Sequence, residues 1–398
     1  MSVKEKQKKI PELRFPGFAG EWEEKRLGDI AKITTGSSNR ENSLELGKYK
    51  FFDRSVDSRW SDKYLFDDEV LIVAGEGLEF FPRYYKGKFD LHQRAYAVMK
   101  SKSKASWKYL YYYIIFHRLW FNRMAVGSTM PSLRMDAFIK MPIKLPKNEE
   151  QQKIAAFLSA ADAWIENLKS QKEALDEYER GLMQKLFPAK GESLPDLRFG
   201  EFSGEWEGKK LGDIAERYNG LKSKTKKDFG SGSAYITYTQ IFENSKIKIE
   251  NFGKVKVGEN ENQNKAKYGD VFFTTSSETP LEVGMSSVLL DRKFHPYLNS
   301  FAFGIRPKSF EILNPEFAQF YFRADVFRNK MYKLAQGSTR FNISRVEFMI
   351  KSILLPCSDE QKKIADFLSS VDTMIKSREA EITAAKKWKR GLMQQMFV

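Results

Sequence analysis

Two stretches of the chain carry apolar residues at intervals of seven. In the first, Ile154, Ala161, Leu168, Leu175 and Leu182 recur at that spacing, with Leu158 and Ile165 as a second line. In the second, Leu368, Ile375 and Ile382 recur beside Ile364 and Val371. Heptad spacing puts each set on one helix face, and each face needs a partner to cover it. Asn148 and Ser358 each stand two residues after a proline, with Gln151 and Gln361 three residues further on, which is the pattern of a capping box. Acidic residues in the first turn suit the positive end of a helix. No proline interrupts either stretch, so each predicts one helix of about 39 residues, roughly 58 Å long at 1.5 Å per residue. Gly181 and Gly391 recur near the two helix ends. Glycine costs about 1 kcal/mol in a helix interior, so the recurrence predicts close backbone packing there.

Between these helices the pattern changes to short apolar runs. VLIVA (70–74), AYAVM (95–99), VFFTT (271–275) and SFAFGI (300–305) read as strands. YLYYYIIFHRLWF (109–121) and EFAQFYFRADVFRNKMYKL (316–334) read as aromatic helices that belong to a core.

The chain also repeats itself. Residues 11–36, PELRFPGFAGEWEEKRLGDIAKITTG, return at 195–220 as PDLRFGEFSGEWEGKKLGDIAERYNG, with 16 of 26 positions identical. A second pair begins at Gly127-Ser128-Thr129 and Gly337-Ser338-Thr339 and runs through the long helices to ERGLMQKLFP and KRGLMQQMFV. The first pair is offset by 184 residues and the second by 210, so the extra length lies in the second of two intervening blocks. Those blocks, 37–125 and 221–335, show no convincing alignment. A duplicated frame with two different inserts predicts two related jobs on different targets.

Charge adds a location. The chain has 398 residues and a net charge of +15. Residues 37–125 hold 16 Lys and Arg against 11 acids, and 221–335 hold 18 against 12, whereas 126–220 are slightly acidic. The two variable blocks are therefore the basic ones, which points to a polyanion such as nucleic acid. One cysteine, Cys357, excludes a disulfide framework, and three scattered histidines leave little room for a His-built metal site. No apolar run reaches the ~20 residues of a membrane helix. The N-terminal segment lacks the apolar stretch of a signal peptide. A cytoplasmic location is expected.

Catalytic motifs are scarce. Gly204 to Lys210 falls one residue short of a phosphate loop and lacks its hydroxyl, and Gly75-Glu76-Gly77 lacks a third glycine. Asp196 with Glu207 and Lys209 forms the one nuclease-like pattern, in which the carboxylates would hold a divalent metal. In the first repeat Asp196 becomes Glu12, which weakens that reading.

Taken together, L-R-F-x-x-F-x-G-E-W-x-x-x-x-L-G-D-I-A twice, G-S-T before each E-Q-x-K-I-A-x-F-L-S helix, and R-G-L-M-Q near both helix ends mark the chain. It resembles the specificity subunit of bacterial type I restriction-modification systems over nearly its whole length. The resemblance implies an α+β fold with two α/β target recognition domains, joined by the two repeated helices as an antiparallel coiled coil with pseudo-twofold symmetry. The expected division is 1–147 for the first recognition domain, 148–188 for the first helix, 189–357 for the second domain and 358–398 for the second helix. It further implies that each domain reads one half of a split double-stranded DNA target and that the coiled coil sets the spacing. Two methyltransferase subunits would bring S-adenosylmethionine, and two restriction/translocase subunits would bring ATP and Mg. The chain itself would bind no cofactor and catalyse nothing. The alternatives are the equivalent subunit of a system with a fused methylase-nuclease partner, or a metal-dependent nuclease using Asp196 and Glu207.

Lys and Arg neutralise phosphates, and Arg, Asn and Gln read base edges. The candidates are Arg40, Arg54, Arg59, Arg83, Gln93 and Arg94 in the first block. In the second they are Lys222, Lys224, Lys226, Lys227, Gln240, Asn299 and Arg306. Ser128, Thr129, Ser338, Thr339 and Arg340 join them, because small hydroxyls and free backbone N–H groups suit phosphate.

Overall fold

The computed structural model describes residues 10–55, 57–101 and 103–398. The chain forms two compact units. One comprises the residues up to Lys169 together with Ala380–Val398, and the other is Ser170–Glu379. This differs from the four-segment division expected from the sequence, because each long helix contributes one portion to each unit. Among the described residues no helix is long and apolar enough to cross a membrane.

The heptad stretches are single helices, Asn148–Lys185 and Ser358–Met396. In the first unit, the beginning of one packs antiparallel on the end of the other. Ile165 and Leu168 bury against Ile382 and Ala385, and Lys389 pairs with Asp162. Ile154 and Leu158 continue into the globular core alongside Met393 and Met396. In the second unit the roles reverse. Leu182 and Leu186 share a core with Ile364, Leu368, Val371 and Ile375, and Leu175 packs at its edge. Ala161 is buried too, so every expected seam position except the half-buried Leu175 is withdrawn from water.

The terminal R-G-L-M-Q segments now have a physical reason. Phe397 inserts among Tyr109, Tyr113 and Phe116 in the first unit. Phe187 inserts among Trp206, Phe317 and Tyr321 in the second. Large aromatic rings in edge, tilted and stacked contacts bury much apolar area. The glycines differ from expectation. A Cβ at Gly181 or Gly391 would meet nothing within 4 Å, so neither marks a close approach. Gly28 does, because a Cβ there would come within 2.9 Å of Ile139.

Gln151 and Gln361 also depart from the capping-box pattern. Each reaches across to the globular part instead. The Gln151 carbonyl oxygen accepts from the Ser106 backbone N–H at 2.9 Å, and its amide donates to the Pro146 carbonyl. Gln361 does the same with Asn314 and Pro356. Ser106 and Asn314 are themselves the N-caps of the aromatic helices. One side chain thus ties two helix starts together.

Each expected aromatic helix breaks in two, at Trp107–Phe116 and Leu119–Met124, and at Pro315–Tyr321 and Asp325–Tyr332. In the second unit the break frees Arg323 to donate to the carbonyls of Ile241, Phe242 and Asn244 at 2.8–3.0 Å. Those carbonyls close the helix Tyr238–Glu243, and a cation is favourable at such an end.

The first unit's main sheet has six strands, in the order Ala31–Thr35, Ala95–Lys100, Phe66–Ala74, Arg83–Leu91, Tyr49–Phe52, Arg59–Ser61. Only the pairing of Tyr49–Phe52 with Arg83–Leu91 is parallel. The second unit has Ala215–Asn219, Ala302–Pro307, Val271–Thr274 and Ser286–Val288 in one sheet, and a separate parallel contact of Ile236 with Leu298. The run expected at 300–305 starts as a strand at Ala302, because Asn299–Phe301 makes a turn.

Candidate nucleic-acid interface

The two variable blocks differ in sequence but share one hydrogen-bond junction. In the first unit the His92 N–H donates to the Phe52 carbonyl at 2.9 Å, Ala95 N–H to His92, Gly75 N–H to Arg94, and Leu133 N–H to Gly75. In the second unit Asn299, Ala302, Thr275 and Ile343 donate to Ile236, Asn299, Phe301 and Thr275 in the same order. Even the turn is held alike. The Arg94 N–H donates to His92 Nδ1 at 3.0 Å, and the Phe301 N–H to Asn299 Oδ1 at 2.8 Å. The equivalent backbone therefore presents different side chains in each unit.

In the first unit this junction forms an open cleft of about 450 Å³ lined by Arg40, Arg54, Glu76, Gln93 and Arg94, with Asn39, Asp53 and His92 beside them. Four of the six residues singled out from the first block meet here. Arg94 pairs with Glu76 at 2.7 Å, Arg54 approaches it at 3.9 Å, and the Gln93 amide donates to Asn39 at 2.6 Å. The arginines are more than half exposed, while Glu76 is mostly covered. Asp53 is buried with one carboxylate oxygen unpaired among the described residues. Glu76, Asn39 and Asp53 escaped the sequence reading, which looked for basic residues.

Two further candidates of the first block lie elsewhere. Arg59 is half-buried on the last strand of the sheet. Arg83 turns inward and donates to the backbone carbonyls of Asp53 and Ser55; burial lowers its pKa. Its charge holds the loop that carries Arg54 rather than facing solvent.

In the second unit the junction exposes Phe301 and places the Arg340 guanidinium 6.0 Å from its ring. Tyr238 is bonded to the Ser276 carbonyl at 2.6 Å. Lys222, Lys226 and Lys227 are exposed. Asn299 uses its side chain to hold its own turn. Three expected readers are occupied by the fold. Gln240 is buried, and its amide donates to Asn251 while its carbonyl accepts from Lys248. Arg306 is locked on the buried Asp270 at 2.7–2.8 Å. Lys224 is covered and paired with Glu261.

The two G-S-T segments are exposed hairpin tips. Val126 and Ser132 exchange hydrogen bonds below Ser128 and Thr129. Ala335–Gln336 pairs with Phe341–Ile343 below Ser338 and Thr339. Gly127 and Gly337 have φ of +101° and +132°, and a Cβ at Gly337 would meet a carbonyl at 2.2 Å. Glycine is required by that backbone.

The nuclease-like pattern gains nothing. Glu207 pairs with Lys209 on an exposed strand. Among the described residues no three His, Cys, Asp or Glu side chains gather where they could share a metal ion.

The sequence profile of the type I restriction modification DNA specificity domain matches residues 19–177 and again 203–386. The type I restriction enzyme MjaVIII specificity subunit of Methanocaldococcus jannaschii is 24% identical over 441 aligned positions, covering 98% of this chain and 94% of that protein. The EcoDI specificity subunit of Escherichia coli is 26% identical over 186 positions, covering 47% of this chain and 40% of that one. Among solved structures, a type I restriction-modification S subunit from M. genitalium superposes with a TM-score of 0.60 at 16% identity, covering 98% of this chain and 99% of that one. A chain from a structural study of type I complex assembly and conformational transition gives 0.56 at 15% identity, covering 94% and 97%. At those identities the structural likeness speaks to the fold alone.

Proposed function

Because this chain belongs to the type I restriction-modification DNA specificity family, whose members recognise DNA and do not catalyse, we propose that its two units each read one half of a bipartite duplex target. The observation that supports this most is the shared junction, one backbone arrangement carrying two different side-chain sets. In the first unit Arg54 and Arg94 are suited to guanine edges or phosphate, and Gln93 with Asn39 to adenine. In the second, Arg340 and the exposed lysines supply phosphate contacts. The G-S-T hairpin tips offer hydroxyls to the backbone in both units.

On this reading the long helices set the spacing between half-sites. The frame docks two methyltransferase subunits, which use S-adenosylmethionine to methylate an adenine in each half. It also docks two restriction/translocase subunits that use ATP and Mg. The chain holds none of these cofactors itself.

The test is a salt titration of duplex binding by the full chain with its methyltransferase partner. Arg54→Ala with Arg94→Ala should weaken binding and flatten the dependence of log K on log salt by about one to two phosphate equivalents. An unchanged affinity and slope would remove the cleft from the interface.

A further inference from the structure

Each unit holds an exposed leucine in the same loop, next to the junction. In the first unit the loop follows the strand Phe66–Ala74, and Leu78 is 75% exposed. In the second it follows Val271–Thr274 and Ser276–Ser277, and Leu281 is 71% exposed. The loops stand beside the G-S-T hairpins. Gly77 donates to the Pro131 carbonyl at 3.0 Å, and Ser277 pairs with Phe341. Both leucines are held out by a side chain that grips their own carbonyl. Asn122 donates to Leu78 at 3.0 Å, and Arg328 to Leu281 at 2.7 Å. Arg328 also binds the carbonyls of Val283 and Gly284, so the second loop is fastened at three points.

A single exposed apolar side chain is ordinary; its recurrence in the same loop of both units, beside the junction, is what asks for a reason. It recurs as Leu78-Glu79 and Leu281-Glu282 in two loops of otherwise different sequence, each time beside a G-S-T hairpin. Resting on the DNA-reading proposal, we infer that Leu78 and Leu281 are wedges that insert between stacked base pairs, one in each half-site. Leucine is among the side chains suited to this. Parting one base step costs stacking, which contacts on the bent duplex repay. The duplex is favoured over a protein partner because the loop of Leu78 also carries Glu76, which pairs with Arg94 and approaches Arg54, and Gly77, which is bonded to the G-S-T hairpin at Pro131. A wedge at that place would also loosen the stack from which an adenine must leave to be methylated.

The experiment uses the full chain with its methyltransferase subunits. The duplex carries 2-aminopurine in one half-site at a time, after the target has been mapped by methylome sequencing. Anisotropy reports binding and 2-aminopurine emission reports unstacking. The wild-type complex should raise emission several-fold in both halves. Leu78→Ala should abolish the rise in the first half only, Leu281→Ala in the second only, and Leu78→Phe should restore it. Emission that is flat in the wild type, or that rises equally in the alanine variants while anisotropy shows binding, overturns the wedge. Loss of the methyltransferase subunits from Leu78→Ala in the absence of DNA overturns it too, by making the leucine a protein contact. Failure of the wild-type complex to bind the mapped duplex at all would instead sink the DNA-reading proposal.

Discussion

Arg14 grips Glu150 with two hydrogen bonds of 2.7 Å, although 136 residues separate them. The same guanidinium donates to the Gly20 carbonyl at 2.6 Å. Arg198 repeats this on Glu360 and Gly204. Both glutamates are 1% exposed. The repeated L-R-F lead and the repeated E-Q helix start are therefore two halves of one clamp, built once in each unit. Arg14→Ala should destabilise the first unit by about 3–5 kcal/mol, because it strands a buried carboxylate. Replacing Arg14 and Glu150 together by leucine should cost less than the single change. Chemical denaturation, with hydrogen exchange to assign the loss to one unit, checks both.

Gly181→Ala and Gly391→Ala should stabilise. Both positions are helical with open space where a Cβ would go, and alanine gains about 0.5–1 kcal/mol over glycine there. Leu168→Ala, by contrast, removes a side chain that is 4% exposed, and should cost about 2–5 kcal/mol. Melting temperatures that move in opposite directions are the expected result.

His117 makes the first unit sensitive to acid. Burial, with the nearby Lys144 charge, lowers its pKa to about 4. The unfolded chain titrates near 6.5 and so binds the proton first as pH falls. The neutral form is the one the fold accepts. Stability is therefore full above about pH 6.5 and declines toward pH 4, by up to about 3 kcal/mol. His117→Phe should flatten that slope; a slope that survives the substitution assigns it to other groups.

Arg306→Ala should unfold rather than merely unbind. It leaves Asp270, which is 0% exposed, without its cation. The Tyr218 hydroxyl at 2.7 Å and the Lys267 N–H at 2.8 Å would remain its hydrogen-bond donors. The expected loss is about 3–5 kcal/mol of stability in the second unit. Arg94→Ala, on an exposed side chain, should leave melting unchanged and weaken DNA binding. The pair separates fold from interface.

That contrast also marks how far the sequence could be read. The heptad helices and the duplicated frame were legible because their signals are local spacing and self-similarity. Arg83, Gln240 and Arg306 were not, since each is satisfied by a group 11 to 36 residues away that charge alone does not reveal. Glu76 was missed for the opposite reason, as an acid inside a basic cleft. The aromatic stretches look continuous as strings, and only the carbonyls awaiting Arg323 explain the break in the second. The Arg14–Glu150 clamp was visible as two repeated tags but not as one object.

On the reading proposed here, each unit reads its own half of the target. That reading is tested most directly by replacing residues 37–125 with the matching block of another family member and sequencing the methylated adenines of the host. One half of the recognition sequence should change while the other half, and the spacing, stay as they were. A change in both halves, or in neither, would contradict it.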